Sequence, residues 1–362
     1  MKTAKTLKYG KTKEIRNRVK SILSRVPFLK IDSFKSIADV YGARPDFLLE
    51  IKANKRPMVL VIEAKTVGQP REIRNGLLQL QRFMREASGK SLYGVMVAPF
   101  ISEESAQLCK EAGVGYIDLA GNARLCFDSV FVETRSPENP FREKREGRSL
   151  FAPKATRVLR HLLQGPLRAW KVSELAESAK VSLGWVSAVR QQLLAREWAA
   201  EEPNGFRVTK PASVLDAWAK TDDWQKRTTV HEYSLLTAAD PARLAENVHE
   251  ILRDEQPVFT QFFAASLRHP HTIAPVVTAY ITKFPAESSV EKQLMARRVS
   301  SGGKLRLVLP KDEGVLHPSQ KAGQFRLVSD AQIYLDLLKA GQRGEEQAAE
   351  LRKWPDFAGG WG

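Results

Sequence analysis

Cysteine is scarce in this sequence, and long apolar runs are missing. Cys109 and Cys126 are the only cysteines among 362 residues, so neither a disulfide framework nor a four-cysteine metal site can be built. No apolar run approaches the roughly 18 residues that a membrane-spanning helix needs. The first residues, MKTAKTLKYGK, lack the hydrophobic stretch of a signal peptide. We therefore expect a cytoplasmic protein in a reducing compartment, with no membrane partner.

Two common kinds of site are also unsupported. The histidines of the C-terminal region, among them His231, His269, His271 and His317, lack the H-E-x-x-H spacing of a zinc hydrolase and have no cysteine partners. The glycines of segment 301–304, SGGK, lack the spacing of a nucleotide-binding P-loop. These patterns therefore favour neither a zinc site nor a P-loop.

What the sequence has in excess is positive charge. It contains 57 Lys and Arg against 41 Asp and Glu, for a net charge of +16. Eleven of these cations lie in residues 1–35, where Glu14 and Asp32 are the only acids. Such an excess favours a polyanionic partner, nucleic acid above all, although a run of charge can also be a solvated face. The length indicates two or three domains.

The first domain is expected to span residues 1–140 and to mix helices with strands. Apolar residues recur at helical spacing over 11–26 and 70–87, and extended segments lie between and after them. The expected strands cover residues 34–41, 46–53, 58–64 and 92–98, with a polar turn at 54–57. The order is thus helix, three strands, helix, strand. A charged, proline-containing segment at 135–153 predicts the domain boundary.

Candidate catalytic residues lie at the ends of two of these strands. Asp46 opens one strand, and Glu63 and Lys65 close the next, so a hairpin would bring the three side by side. Because residues two apart on a strand face the same side, Lys65 points where Glu63 points. Asp46 and Glu63 could hold Mg²⁺ or Mn²⁺ through hard carboxylate oxygens, and Lys65 could orient an attacking water.

With its Pro45-Asp46 and Glu63-Ala64-Lys65 elements, the segment 11–98 resembles the PD-(D/E)XK nuclease superfamily. The resemblance implies a restriction-endonuclease-like mixed sheet and Mg²⁺-dependent cleavage of DNA. Branches of that superfamily add an acid on the first helix and a glutamine on the second, which here would be Glu14 and Gln79 or Gln81. An inactive nuclease fold and an ordinary surface ion cluster remain alternatives.

Residues 150–210 show the pattern of a winged helix-turn-helix. Helices are expected at 155–163, 172–179 and 183–197, followed by a two-stranded wing at 198–208. The candidate DNA-binding residues lie just before the second helix, on the recognition helix and the turn before it, and on the wing: Lys171, Ser182, Trp185, Ser187, Arg190, Gln191 and Arg207. Arg190 and Gln191 suit base edges, whereas Lys171, Ser182 and Arg207 suit phosphates. Trp185 could instead pack in the core, and the unit could instead bind protein.

The stretch 150–350 resembles the AbiEi family of type IV antitoxins and transcriptional regulators. The residues that carry the resemblance are the helix-turn-helix and the segments 214–218, 233–236 and 327–337. The resemblance implies a C-terminal α/β domain, here at 211–355, autorepression of an operon and neutralisation of a toxin without stable contact. A turn at 116–122 resembles an element of longer relatives, in which Asp118 and Asn122 would either act or simply shape the turn.

We therefore expect an α/β (α+β) multidomain protein that binds double-stranded DNA. The first hypothesis is a Mg²⁺-dependent DNA endonuclease whose winged helix brings it to its target. The alternative is a non-catalytic regulator of a toxin–antitoxin or defence operon. Either protein could act as a homodimer, and both predict an affinity for DNA that falls steeply with salt.

Overall fold

The chain forms two compact units. The computed structural model describes residues 3–36, 45–87, 91–135, 149–165, 167–236 and 240–361. The first unit comprises Met1–Lys144 with Ala195–Glu197, and the second comprises Arg145–Leu194 with Trp198–Gly362. Most of the boundary expected at 135–153 lies at 136–148, outside the described residues. Nowhere in the described ranges does a helix combine the length and apolar composition that crossing a membrane requires.

The first unit is a seven-stranded mixed sheet with helices packed on it. Its elements are α1 (Thr3–Leu23), β1 (Leu29–Ser36), β2 (Phe47–Ala53), β3 (Arg56–Ala64), α2 (Pro70–Glu86), β4 (Leu92–Ala98), α3 (Glu103–Glu111), β5 (Gly115–Asp118), β6 (Ala123–Phe127) and β7 (Val130–Thr134). The strands follow one another across the sheet in chain order. The β3, β4 and β5 strands run parallel, and the remaining neighbours run antiparallel. The mixed α/β character expected from the sequence is confirmed.

The hairpin between β2 and β3 is tighter than the sequence suggests. The turn consists of Asn54 and Lys55, whose φ angles are 49° and 69°. Two central residues with positive φ match the twist of a two-residue hairpin, and asparagine tolerates that conformation well. The four-residue turn predicted at 54–57 is wrong, because Arg56 and Pro57 already pair within β3. The first strand also begins earlier than predicted, at Leu29, and residues 37–41 lie outside the described ranges.

Alternation along β3 assigns its side chains to two separate cores. Leu60 and Ile62 pack in the core that contains the apolar residues of α1. Val61 packs in a second core with apolar residues of α2. Because residues two apart share a face, Glu63 and Lys65 follow Val61 on the side that α2 covers. This alternation decides which helix the candidate catalytic side chains meet.

The second unit begins with a helix-turn-helix and a wing. These elements are α4 (Pro153–Leu162), α5 (Val172–Ser178), α6 (Leu183–Ala195), β8 (Ala199–Glu202) and β9 (Gly205–Val208). The expected helices and wing are therefore all present, with ends shifted by two residues or fewer. The wing strands pair antiparallel, with Ala199 opposite Val208.

A second seven-stranded mixed sheet follows. The elements after the wing are α7 (Pro211–Ala219), α8 (Trp224–Arg227), β10 (Thr228–Leu235), α9 (Pro241–Ile251), β11 (Val258–Thr260), α10 (Gln261–Arg268), β12 (Val277–Tyr280), α11 (Glu287–Leu294), β13 (Ala296–Val299), β14 (Leu305–Pro310), β15 (Ser319–Ala322), β16 (Phe325–Val328), α12 (Asp330–Leu337) and α13 (Gln342–Lys353). The sheet order is β13-β10-β14-β12-β11-β16-β15. One apolar core runs from α4 through this sheet to α13, so the winged helix and the C-terminal region pack as one body.

A buried polar network also joins α4 to this region. Arg160 on α4 donates from Nε to Oε1 of Gln332 over 2.9 Å, and Gln332 donates from Nε2 to Oδ1 of Asp336 over 2.6 Å. Asp336 also accepts from Arg227 Nη2 at 2.6 Å and from the hydroxyl of Thr260 at 2.5 Å. Burial raises the pKa of the Asp336 carboxyl, and the Arg227 guanidinium opposes that rise. The network supplies polar partners inside the unit, where an unpaired polar group would be costly.

Candidate functional site

The turn of the helix-turn-helix is built around Lys180. After α5 ends, Lys180 takes a positive φ of 51°, and the amide of Val181 donates back to Ala176 O over 3.0 Å. Leu175 and Ala176 on α5 are buried, as are Val186, Val189 and Leu193 on α6. Their burial holds α6 across α5, with the remaining faces of α6 outside the core.

An isolated β-bridge closes the wing. Trp170 and Phe206 exchange two backbone hydrogen bonds, of 2.9 and 3.1 Å. Gly205 lies beside this bridge with φ of 145°, and a Cβ there would meet Trp170 O at 2.0 Å. Only glycine permits this approach of the two backbones. The guanidinium of Arg168 stacks over the Trp170 ring at 3.5 Å from its centroid, on the same segment.

Five of the candidate DNA-binding residues lie on α6 or directly before it, and Lys171 lies directly before α5. Lys171 is exposed at the residue before α5, and Ser182 is exposed at the residue before α6. On α6 itself, Gln191 is exposed and Ser187 is half-buried. Trp185 is half-buried and packs against the apolar core of the unit. That packing accounts for the tryptophan without a nucleic-acid contact.

The two candidate arginines are held by acids of the wing. Arg190 on α6 donates from Nη2 to the carboxylate of Glu201. Its Nε is buried and has no hydrogen-bond partner among the described residues. Arg207 on β9 donates from Nε to Oε1 of Glu202 over 3.1 Å. These ion pairs orient both guanidinium groups toward the wing acids, although each guanidinium has five N–H donors and the ion pair uses only part of them.

One residue of this surface was missed by the sequence argument. Leu183, the first residue of α6, is 56% exposed. It stands at the N-terminal end of α6, whereas Val186, three residues later, is fully buried. A leucine directly after Ser182 at a helix start is the only signal that the sequence offers.

The second candidate site lies at the ends of β2 and β3 in the first unit. Phe47 pairs with Ile62, which brings Asp46 alongside Glu63. Asp46 accepts the amide of Ala64 at Oδ2 over 2.8 Å. Lys65 donates from Nζ to Oε1 of Glu63 over 2.8 Å. The hairpin thus assembles the three residues that the sequence singled out, and Glu63 is only 7% exposed.

Helix α2 contributes the glutamine of this cluster. Lys65 Nζ donates to Oε1 of Gln79 over 2.7 Å, whereas Gln81 is exposed and makes no such contact. Gly76 leaves room for the lysine, because a Cβ there would lie 2.8 Å from Lys65 Cε. Glu14 is exposed on α1, the helix that covers the opposite face of the sheet. The structure therefore brings four of the five proposed catalytic residues together and leaves Glu14 apart.

The oxygen atoms of this cluster are of the kind that a divalent cation requires as ligands. No group of three or more His, Cys, Asp or Glu side chains suited to a metal occurs in the described part of the chain. Mg²⁺, however, is commonly held by one or two carboxylates, with waters and substrate phosphates as its remaining ligands. Asp46 and Glu63 supply two carboxylates. The cluster therefore fits Mg²⁺ by its chemistry.

The turn between β5 and β6 is organised by the Asp118 carboxylate. Its Oδ1 accepts the amides of Gly121 at 2.8 Å and Asn122 at 2.7 Å. Its Oδ2 accepts Asn122 Nδ2 at 2.7 Å and the amide of Ile101 at 3.1 Å. Asp118 is fully buried. These contacts explain both side chains as parts of the turn, the second of the two interpretations that its sequence allowed.

Comparison with known proteins identifies one segment of the chain. No curated protein and no solved structure matches the chain. Residues 207–354 match the family described as "Transcriptional regulator, AbiEi antitoxin, Type IV TA system". The match begins in β9 and ends just after α13, so it covers the C-terminal sheet and not the first unit. The resemblance expected over 150–350 is thus confirmed for its C-terminal part.

Proposed function

We propose that this chain is a DNA-binding transcriptional regulator of the antitoxin type. The observation that carries the proposal is the fusion, in one compact unit, of a winged helix-turn-helix with the segment that matches AbiEi regulators. In helix-turn-helix proteins the second helix of the motif lies in the major groove of DNA, and here that helix is α6. The C-terminal sheet forms the body on which α6 is held.

Charge on the winged helix supports a DNA partner. Residues 149–210 contain ten Lys or Arg and five Asp or Glu. Lys171 and Lys180, on either side of α5, are exposed. Cations that neutralise phosphates release counterions, so affinity should fall steeply as salt rises. Lys171 and Lys180 are the residues that we assign to the DNA backbone.

The direct test is binding of the purified full chain to the DNA upstream of its own gene. We expect submicromolar binding by fluorescence anisotropy, weaker binding to a shuffled duplex, and a negative slope of log affinity against log salt. The double variant Lys171→Glu, Lys180→Glu should weaken binding more than tenfold. Lys292→Glu, on exposed α11, is the matched control and should bind as wild type. Equal affinity for upstream and shuffled DNA would refute a regulator of that promoter.

The antitoxin part of the proposal is tested in cells. A reporter driven by the same upstream DNA should be repressed by the wild-type chain and released by the Lys171→Glu, Lys180→Glu variant. If the operon encodes a toxin, coexpression of this chain should restore growth. A dyad-symmetric binding site with two chains bound would indicate a homodimer, since two-fold protein symmetry is mirrored in the operator. Toxicity unaffected by coexpression would remove the antitoxin role and leave the regulator.

A second candidate function belongs to the first unit. The specific observation in its favour is Lys65 Nζ, which lies within 2.8 Å of Glu63 and 2.7 Å of Gln79 at the strand end that Asp46 shares. We propose metal-dependent phosphodiester hydrolysis of DNA at this cluster. Asp46 and Glu63 would hold Mg²⁺, which lowers the pKa of bound water and stabilises a leaving oxygen. Lys65 would position the attacking water, and Gln79 would position Lys65.

Nicking of supercoiled plasmid tests this second function. We expect cleavage with Mg²⁺ or Mn²⁺, none with EDTA, and none by Asp46→Asn or Lys65→Ala. Gln79→Ala should slow cleavage, whereas Gln81→Ala, on the same helix, should not. Binding of DNA without metal-dependent nicking would leave the regulator as the sole function of the chain.

A further inference from the structure

The exposed stripe of α6 is almost free of charge. Leu183, Ser187 and Gln191 follow one another at four-residue intervals, so they lie along one side of the helix. They span about 12 Å at 1.5 Å per residue, which is comparable to the length of three or four base-pair steps. Leu183 is 56% exposed, and Gln191 is exposed as well. This stripe is the surface that α6 offers to a major groove.

Arg190, which the sequence analysis assigned to base edges, is held by an acid of the wing. Arginine reads guanine through two hydrogen bonds to O6 and N7. Arg190, however, is paired with Glu201 on the wing, and its Nε is buried. Arg190 lies three residues after Ser187 and seven after Leu183, so it borders the stripe, and its guanidinium is drawn toward the wing by Glu201 rather than by its position on the helix. With Nη2 bound to Glu201 and Nε buried, Arg190 would have to reorient its side chain before it could present two donors to a guanine.

The remaining chemistry of the stripe suits A·T base pairs. Thymine presents a C5-methyl group in the major groove, and an apolar side chain recognises it by contact. Leu183 is the apolar residue at the N-terminal turn of α6, the part of a recognition helix that contacts base edges. Glutamine pairs with adenine through N6 and N7. Gln191 is placed two turns further along to do so.

We propose that α6 selects A·T base pairs, with Leu183 in contact with a thymine methyl group and Gln191 bound to an adenine. This inference rests on the proposed function, because it requires that the winged helix binds DNA. It assigns sequence discrimination to two uncharged side chains. Arg190 is a positioning residue that ties α6 to the wing through Glu201.

The test removes the methyl group from the DNA. Duplexes bound by the full chain are first selected from a random library, and each thymine of the selected site is then replaced singly by deoxyuridine, which lacks the C5-methyl group. We expect selected half-sites rich in A·T pairs. One deoxyuridine position in each half-site should weaken wild-type binding about fourfold, the factor that corresponds to burial of one methyl-sized group.

A thermodynamic cycle then assigns the contact. Leu183→Ala should abolish the sensitivity to deoxyuridine at that position, whereas Leu236→Ala, at a leucine 63% exposed outside the winged helix, should keep it. Gln191→Ala should relax selection at an adenine. Selected sites rich in G·C, or binding indifferent to every deoxyuridine, would overturn the inference and leave the regulator intact. Failure to select any sequence would instead overturn the proposed function.

Discussion

Arg160 Nε and Gln332 Oε1 lie 2.9 Å apart, although 172 residues separate them in the chain. Arg160 also donates to Thr156 Oγ1 at 3.2 Å, and its guanidinium stacks over the Trp218 ring at 5.2 Å. Burial lowers the pKa of Arg160 to about 10, which still leaves it charged at neutral pH. A buried cation held by neutral partners thus connects the winged helix with the C-terminal sheet.

Gln332→Leu should destabilise the second unit by roughly 2–3 kcal/mol, because Arg160 and Asp336 would each lose a buried hydrogen-bond partner. Chemical unfolding followed by tryptophan fluorescence measures the effect. Gln293→Leu, on the exposed side of α11, is the matched control and should change stability by less than about 0.5 kcal/mol. Equal effects of the two substitutions would show that the Arg160 link contributes nothing.

Asp118→Ala should destabilise the first unit by roughly 2–4 kcal/mol, since four donors lose their acceptor in a buried turn. Glu103→Ala removes the same charge from the exposed start of α3 and should cost no more than about 0.5–1 kcal/mol. Both values come from unfolding midpoints. A stable Asp118→Ala protein that had lost an activity would instead reveal a functional role for this carboxylate.

Gly205→Ala should distort the wing and destabilise its unit by at least about 2 kcal/mol, because the new Cβ would overlap Trp170 O and φ is 145°. Gly184→Ala is the comparison. A Cβ at Gly184 meets only Ser182 Oγ, at 3.8 Å, so stability should stay within about 1 kcal/mol of wild type. Chemical unfolding of both variants measures these changes in the free energy of unfolding. A Gly205→Ala protein as stable as wild type would contradict the close approach of Gly205 to Trp170.

The two cysteines should react very differently with a thiol reagent. Cys126 is exposed, whereas Cys109 is fully buried, and burial raises the pKa of the Cys109 thiol to about 12. The thiolate is the reactive species, so only Cys126 should be labelled rapidly at pH 8. We expect one fast equivalent from the native wild type, none from Cys126→Ser, and two from the unfolded chain. Fast labelling of native Cys126→Ser would place Cys109 at the surface.

The order of elements over residues 11–98 and in the winged helix could be predicted from the sequence, because local periodicity determines it, whereas the individual strands of the C-terminal sheet were not predicted. Apolar segments on either side of a polar turn identified β2 and β3, and helical spacing identified α2, α5 and α6, with ends within two residues of those observed. The proximity of Asp46, Glu63 and Lys65 could also be predicted, because a single hairpin brings these residues together. Contacts between residues that are close in the chain depend on short segments, so they can be predicted from the sequence alone.

The partners of individual side chains were decided only by the tertiary structure. Nothing in the sequence around Arg190 indicates that Glu201 will hold it, and nothing around Leu183 indicates that this leucine will be 56% exposed. The contact between Arg160 and Gln332 depends on how α4 packs beside α12, on which Gln332 lies 172 residues later in the chain. Such contacts arise when distant segments pack together, and packing reflects the shape of the whole unit rather than any local pattern.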